Sequence, residues 1–170
     1  MSFSAQRDLV KRMERMLEDR SHSSTADILL VCLDDPSEPP LPAHRCILTS
    51  ASEPFRALLA LQADSHASFP TAAVAGGLSA AQREQGLLAT EARFARLPRL
   101  NIPGVRASTL RSVLRFLYTG HLPLSAASTI ETLCAAEQFS LGALRSTAEH
   151  FLPRILREDN VCDILKTAAE

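Results

Sequence analysis

Between Leu110 and Ile155 the apolar residues recur at helical spacing in three successive blocks, which makes the second half of this chain α-rich. Leu110, Val113, Leu114 and Leu117 form the first helix face, and Gly120 stands just beyond it, where a left-handed residue commonly closes a helix. Ile130, Leu133, Cys134 and Phe139 make the second block; Leu141, Leu144, Ala148, Phe151 and Ile155 make the third. Pro153 has no N–H to bond to Glu149, so the third helix is expected to end or kink near Leu152. Asn160 then restarts a helix, with Val161, Ile164 and Leu165 facing inward.

The first half is patterned differently. ADILLVCL (26–33) is a short apolar run bounded by the turn-formers DDPSEPP, as a buried strand should be. LPAHRCIL (41–48) reads as a second strand and completes a hairpin, and FARLPRLNI (94–102) returns to strand-like alternation. Ser52 is suited to cap the helix that follows it. Pro54 falls in the first turn of that helix, where N–H groups lack intrahelical partners anyway, and Phe55, Leu58 and Leu59 turn inward. Upstream, residues 5–20 place Leu9, Met13, Met16 and Leu17 on one stripe of an amphipathic helix. From about 62 to 92 the chain is rich in Ala, Ser and Gly, too long for an ordinary connection, and reads as a mobile insertion. Ser79 and Gln82 are spaced for a capping box within it, and Gly86 weakens that helix.

Bulk properties narrow the function. The 170 residues suit one globular domain with extra length, and a net charge of −1 provides no field to concentrate a phosphate backbone, so no nucleic-acid partner is expected. Cys32, Cys46, Cys134 and Cys162 have no C-x-x-C spacing and sit in apolar runs, as reduced, buried thiols of an intracellular protein do. The N-terminal residues mix both charge signs without a continuous apolar stretch, and no segment is long enough to span a bilayer. Cytoplasm or nucleus is the expected location, with no membrane partner.

His44, followed by Ser50 and Ser52, raises the question of nucleophilic catalysis. No G-x-S-x-G elbow or similar signature accompanies it, so the expectation is no catalytic residue and a buried, neutral His44 bonded to backbone. Cys32, His44 and Cys46 lack an evident fourth ligand for zinc, so neither a metal nor a cofactor is expected.

Asp27 ahead of an apolar strand, LPAHRCILTSASEPF, LNIPGV, LRFLYTG and IETLCAAEQFSLGALRSTAEHFL occur in the order and spacing of the BTB (POZ) domain, which this chain closely resembles. SEPF carries its Pro one residue away from the usual Ser-Pro-aromatic-Phe turn. The resemblance implies an α/β (α+β) fold, a small sheet capped by helices. It sets residues 1–26 as an N-terminal helix and linker, 27–156 as the domain with its insertion, and 157–170 as the start of a helical extension.

It also implies roles. In the longer BTB domains the N-terminal helix packs across a two-fold axis, so Leu9, Met13, Met16 and Leu17 are either a homodimer interface or a face docked on their own domain. Asp27 and Arg45 match an acid and base that face each other in a charged groove, against the alternative of two unrelated surface charges. In cullin-binding members, the Tyr that matches Tyr118 and a hydrophobic-x-Glu motif lie at the cullin, against the alternative that Tyr118, a helical aromatic, belongs to the core; here Ala89 and Glu91 hold the motif's place. The expected function is a protein-interaction and oligomerisation module, the substrate-adaptor part of a cullin-3 ubiquitin ligase, with a substrate protein bound through regions outside this chain. The alternative is a scaffold or transcription-regulator type that dimerises without a cullin. No enzyme activity is expected of it.

Overall fold

The computed structural model describes residues 3–18, 25–63, 96–122 and 125–155, together with Phe94 and Val161. In chain order these form α1 (Phe3–Glu18), β1 (Ile28–Cys32), β2 (Leu41–Ala43), α2 (Arg45–Ala51), α3 (Glu53–Ala63), β3 (Arg99–Ile102), α4 (Ala107–Thr119), α5 (Ala126–Gln138) and α6 (Gly142–Ile155). Of the expected insertion at 62–92, the described residues hold only the end of α3. The capping box at Ser79, the pair Ala89 and Glu91, and Cys162 lie outside them.

The sheet runs β2-β1-β3. β1 is antiparallel to β2, with Ile28 opposite Ala43 and Leu30 opposite Leu41. It is parallel to β3, with Leu30 opposite Leu100 and Cys32 opposite Ile102. An interior strand with a parallel neighbour is covered on both faces, which is why ILLVC can be apolar without alternation. β3 lies at the edge and does alternate, burying Leu100 and Ile102 and exposing Arg99 and Asn101. Helices seal the sheet into one core around Leu48, Phe55, Leu110, Val113, Leu114, Phe139 and Leu144, each at most 1% exposed. Phe55 and Phe139 stack with centroids 4.3 Å apart and clamp α3 to the end of α5.

Several boundaries follow the expected chemistry. The Ser52 hydroxyl accepts from the Phe55 N–H at 3.2 Å, capping α3, and donates to the Phe139 carbonyl at 2.6 Å. Gly120 closes α4 at φ 71° and donates its N–H to the Phe116 carbonyl at 2.8 Å. α5 opens on a reciprocal capping box between Ser125 and Ser128.

Four expectations are corrected. The second strand stops at Ala43, and RCILTSA is the helix α2. Its first N–H, on Arg45, is capped from outside by the Asp27 carboxylate at 2.8 Å, a tertiary contact that settles an apolar run compatible with either period. The third strand covers only Arg99–Ile102, because Pro98 has no N–H for the ladder and contributes just its carbonyl, which accepts from the Leu29 N–H at 2.9 Å. α6 runs through Pro153 to Ile155. The proline falls in the last turn, so a single lost bond does not stop the helix. Finally, Cys32 is buried but Cys46 and Cys134 are exposed, since both helices turn those positions outward.

Candidate interaction surface

The stripe on α1 is divided. Met13 and Leu17 pack against the core, whereas Leu9 is 59% and Met16 38% exposed. α1 lies along α4, where the Glu14 carboxylate meets the Arg115 guanidinium at 3.3 Å. Of the two readings of this helix, docking on its own domain accounts for Met13 and Leu17. It leaves Leu9 and Met16 facing outward.

Asp27 and Arg45 do meet, through a carboxylate and a backbone N–H. The Arg45 guanidinium reaches α3, where it donates to the Leu59 carbonyl at 3.5 Å. The acid of the expected pair therefore caps α2, and the base extends over α3.

His44 sits just behind this pair, in extended conformation at the head of α2, and is 5% exposed. The expected backbone partner is corrected, because both ring nitrogens bond to side chains. Nε2 lies 2.6 Å from the Thr25 hydroxyl and Nδ1 lies 2.7 Å from the Tyr118 hydroxyl, which also accepts from the His44 backbone N–H at 3.0 Å. Burial pushes the His44 imidazole below its ordinary value, against a smaller pull upward from Asp27. Burial likewise pushes the Tyr118 phenol well above its usual range, so it stays protonated. Of the two readings of Tyr118, core or partner contact, the structure has the first: it is only 5% exposed and ties the end of α4 to the head of α2. The role of Thr25 was not legible in the sequence, because nothing local marks it. Cys32 and Cys46 do not converge on His44 as ligands, and among the described residues no group of three or more His, Cys, Asp or Glu side chains is placed to hold a metal ion. None of the described helices is long and apolar enough to cross a membrane.

The family model described as BTB/POZ domain matches residues 86–156. Among solved structures, the BTB domain of human gigaxonin superposes with a TM-score of 0.57 over 89% of this chain and 94% of its own, at 16% identity. The BTB domain of zebrafish PATZ1 gives 0.56 over 91% and 96%, at 14% identity. The fold is that of the BTB/POZ domain. Two curated BTB/POZ proteins are similar in sequence. BTB/POZ domain-containing protein 9 of Drosophila melanogaster is 30% identical over 85% of this chain, and BTB/POZ domain-containing protein At4g08455 of Arabidopsis thaliana 26% identical over 82%. The chain spans 17% of the first relative's length and 46% of the second's. A BTB/POZ domain is a protein-interaction module, and among the described residues the large apolar side chains that packing leaves outward are Leu9 and Met16 on one stripe of α1, with Leu33 after β1 and Leu61 on α3.

Proposed function

We propose that this BTB/POZ chain is a self-associating module that recruits other proteins and leaves any chemistry to them. The observation that carries this reading is the exposure of Leu9 and Met16 on a helix otherwise seated on the core. Two copies related by a two-fold axis present the same patch to each other, so one exposed apolar seam closes on itself. The domain we assign covers 27–156, with α1 before it as the assembly element and 157–170 as the start of a helical extension. We place it in the cytoplasm or nucleus. Sedimentation is the test. The wild type should run as a dimer at micromolar concentration, and Leu9→Glu combined with Met16→Glu should run as a folded monomer. A monomeric wild type sinks the reading.

The enzyme recruited, in this reading, is a cullin-3 ubiquitin ligase. Support comes from the resemblance of NVCDILKTAAE (160–170) to the helical extension of such adaptors; Ala89 and Glu91, at the place of the hydrophobic-x-Glu motif, match it poorly and weigh against tight binding. Ala89 is a small anchor, so affinity should be weak, and Ala89→Met should gain about 1–2 kcal/mol at about 25 cal/mol per Å² of added apolar area. Tyr118, being buried, contributes by holding α2 against α4. Calorimetry with the cullin-3 N-terminal domain decides. If neither the wild type nor Ala89→Met binds, the scaffold or transcription-regulator form without a cullin takes its place.

A further inference from the structure

Three segments far apart in sequence converge on one buried imidazole: Thr25 just before β1, His44 at the head of α2, and Tyr118 in the last turn of α4. The donors and acceptors close in one protonation state. With Nε2 protonated, the ring donates to the Thr25 hydroxyl, Nδ1 accepts from the Tyr118 O–H, and the Tyr118 oxygen accepts from the His44 backbone N–H. A proton added at Nδ1 sets a second donor against Tyr118 and removes the acceptor of its O–H. It also places a positive charge where the side chain is 5% exposed. The charged and titratable groups facing this point are Asp27 from the approach to β1, Arg45 and Cys46 from α2, and Tyr118 from α4. Asp27 alone favours the charged ring. Its carboxylate is engaged by the Arg45 backbone N–H, and burial outweighs it.

We propose that the Thr25–His44–Tyr118 contact is an acid-released latch, which on protonation of His44 frees the approach to β1 and the head of α2 from α4 while the apolar core stays folded. The sign follows from linkage. A histidine whose folded pKa lies below its unfolded value of about 6.5 gives its full contribution above that pH and loses it as pH falls. α5 and α6 pack through the apolar Ala135, Ala136, Leu144 and Ala148 and are joined by the Arg145–Glu137 ion pair, none of which belongs to the latch, so they have no reason to open with it.

Tyr118 is the only tyrosine in a chain without tryptophan, so intrinsic fluorescence reports the latch alone. Between pH 8 and pH 5 the wild type should show a change in Tyr118 emission with its midpoint below about 6.5. Over the same range, amide exchange at His44, corrected for its intrinsic pH dependence, should speed up while amides of α5 and α6 stay protected. His44→Gln, which cannot take a proton, should give a flat profile. Tyr118→Phe, read by exchange only, should show the fast His44 amide already at pH 8. The proposal is overturned by a wild type without a transition, by the same transition in His44→Gln, by slow exchange at His44 in Tyr118→Phe, or by α5 and α6 opening at the same pH.

Discussion

α1 and α4 lie side by side with similar apolar spacing, yet they use it differently. In α4, Leu110, Val113 and Leu114 are at most 1% exposed, because the helix is enclosed by α1, α2, α5 and the sheet. In α1 the stripe is split, Met13 and Leu17 seated and Leu9 and Met16 outward. Periodicity thus reports that a helix has an apolar face. What covers the face depends on how many elements surround it.

The largest expected effect breaks the enclosed side. Leu114→Asp buries an unpaired carboxylate at a 1% exposed position, at a cost of several kcal/mol, on the order of the whole stability of a domain this size. It should leave no cooperative thermal unfolding, whereas Leu9→Asp on α1, compared at a dilution where both proteins are monomeric, should change stability by no more than about 0.5 kcal/mol. Equal damage from the two would erase the distinction between the helices.

Smaller effects sharpen it. Tyr118→Phe leaves the His44 N–H and Nδ1 without their hydroxyl partner, which should cost about 1–3 kcal/mol in denaturant unfolding at pH 7.5. Met13→Ala removes a half-buried side chain, so about 1–2 kcal/mol is expected, below the 2–5 kcal/mol of a fully buried Met. A value near zero for Met13 would mean that α1 is not docked in solution.

How much of this was legible beforehand depended on whether the deciding contact is local. The three helical blocks, the Ser52 cap and the Gly120 closure are set by residues within a few positions of one another, and the structure has all of them. The run that forms α2 is equally compatible with a strand in sequence, because its cap comes from Asp27, 18 residues away. The start of α4 is capped in the same way, the Asp35 carboxylate accepting from the Ala107 N–H at 2.7 Å across 72 residues. The burial of His44 is legible in sequence, but its partners stand 19 and 74 residues off, beyond any local pattern. Asp27 and Arg45 meet as a carboxylate on a backbone N–H, a contact that no local pattern gives, because side-chain direction at a helix start depends on the turn before it.

The smallest expected effect concerns the ion pair between the two helices, and it asks what docks α1. The Glu14 and Arg115 side chains are 31% and 44% exposed, and their charges stand 3.3 Å apart. Water screens such a pair, and ordering two long side chains offsets much of the attraction, so a double-mutant cycle with Glu14→Gln and Arg115→Gln should give about 0.2–1 kcal/mol. Raising the salt to about 1 M, where the screening length falls to about 3 Å, should shrink that coupling. Meanwhile the cost of Met13→Ala should stay or rise, because apolar burial is not screened by salt. If the coupling instead exceeded about 2 kcal/mol and survived high salt, charge would be what holds α1 on α4. Met13 and Leu17 would then be as free as Leu9 and Met16, and all four would belong to the assembly surface.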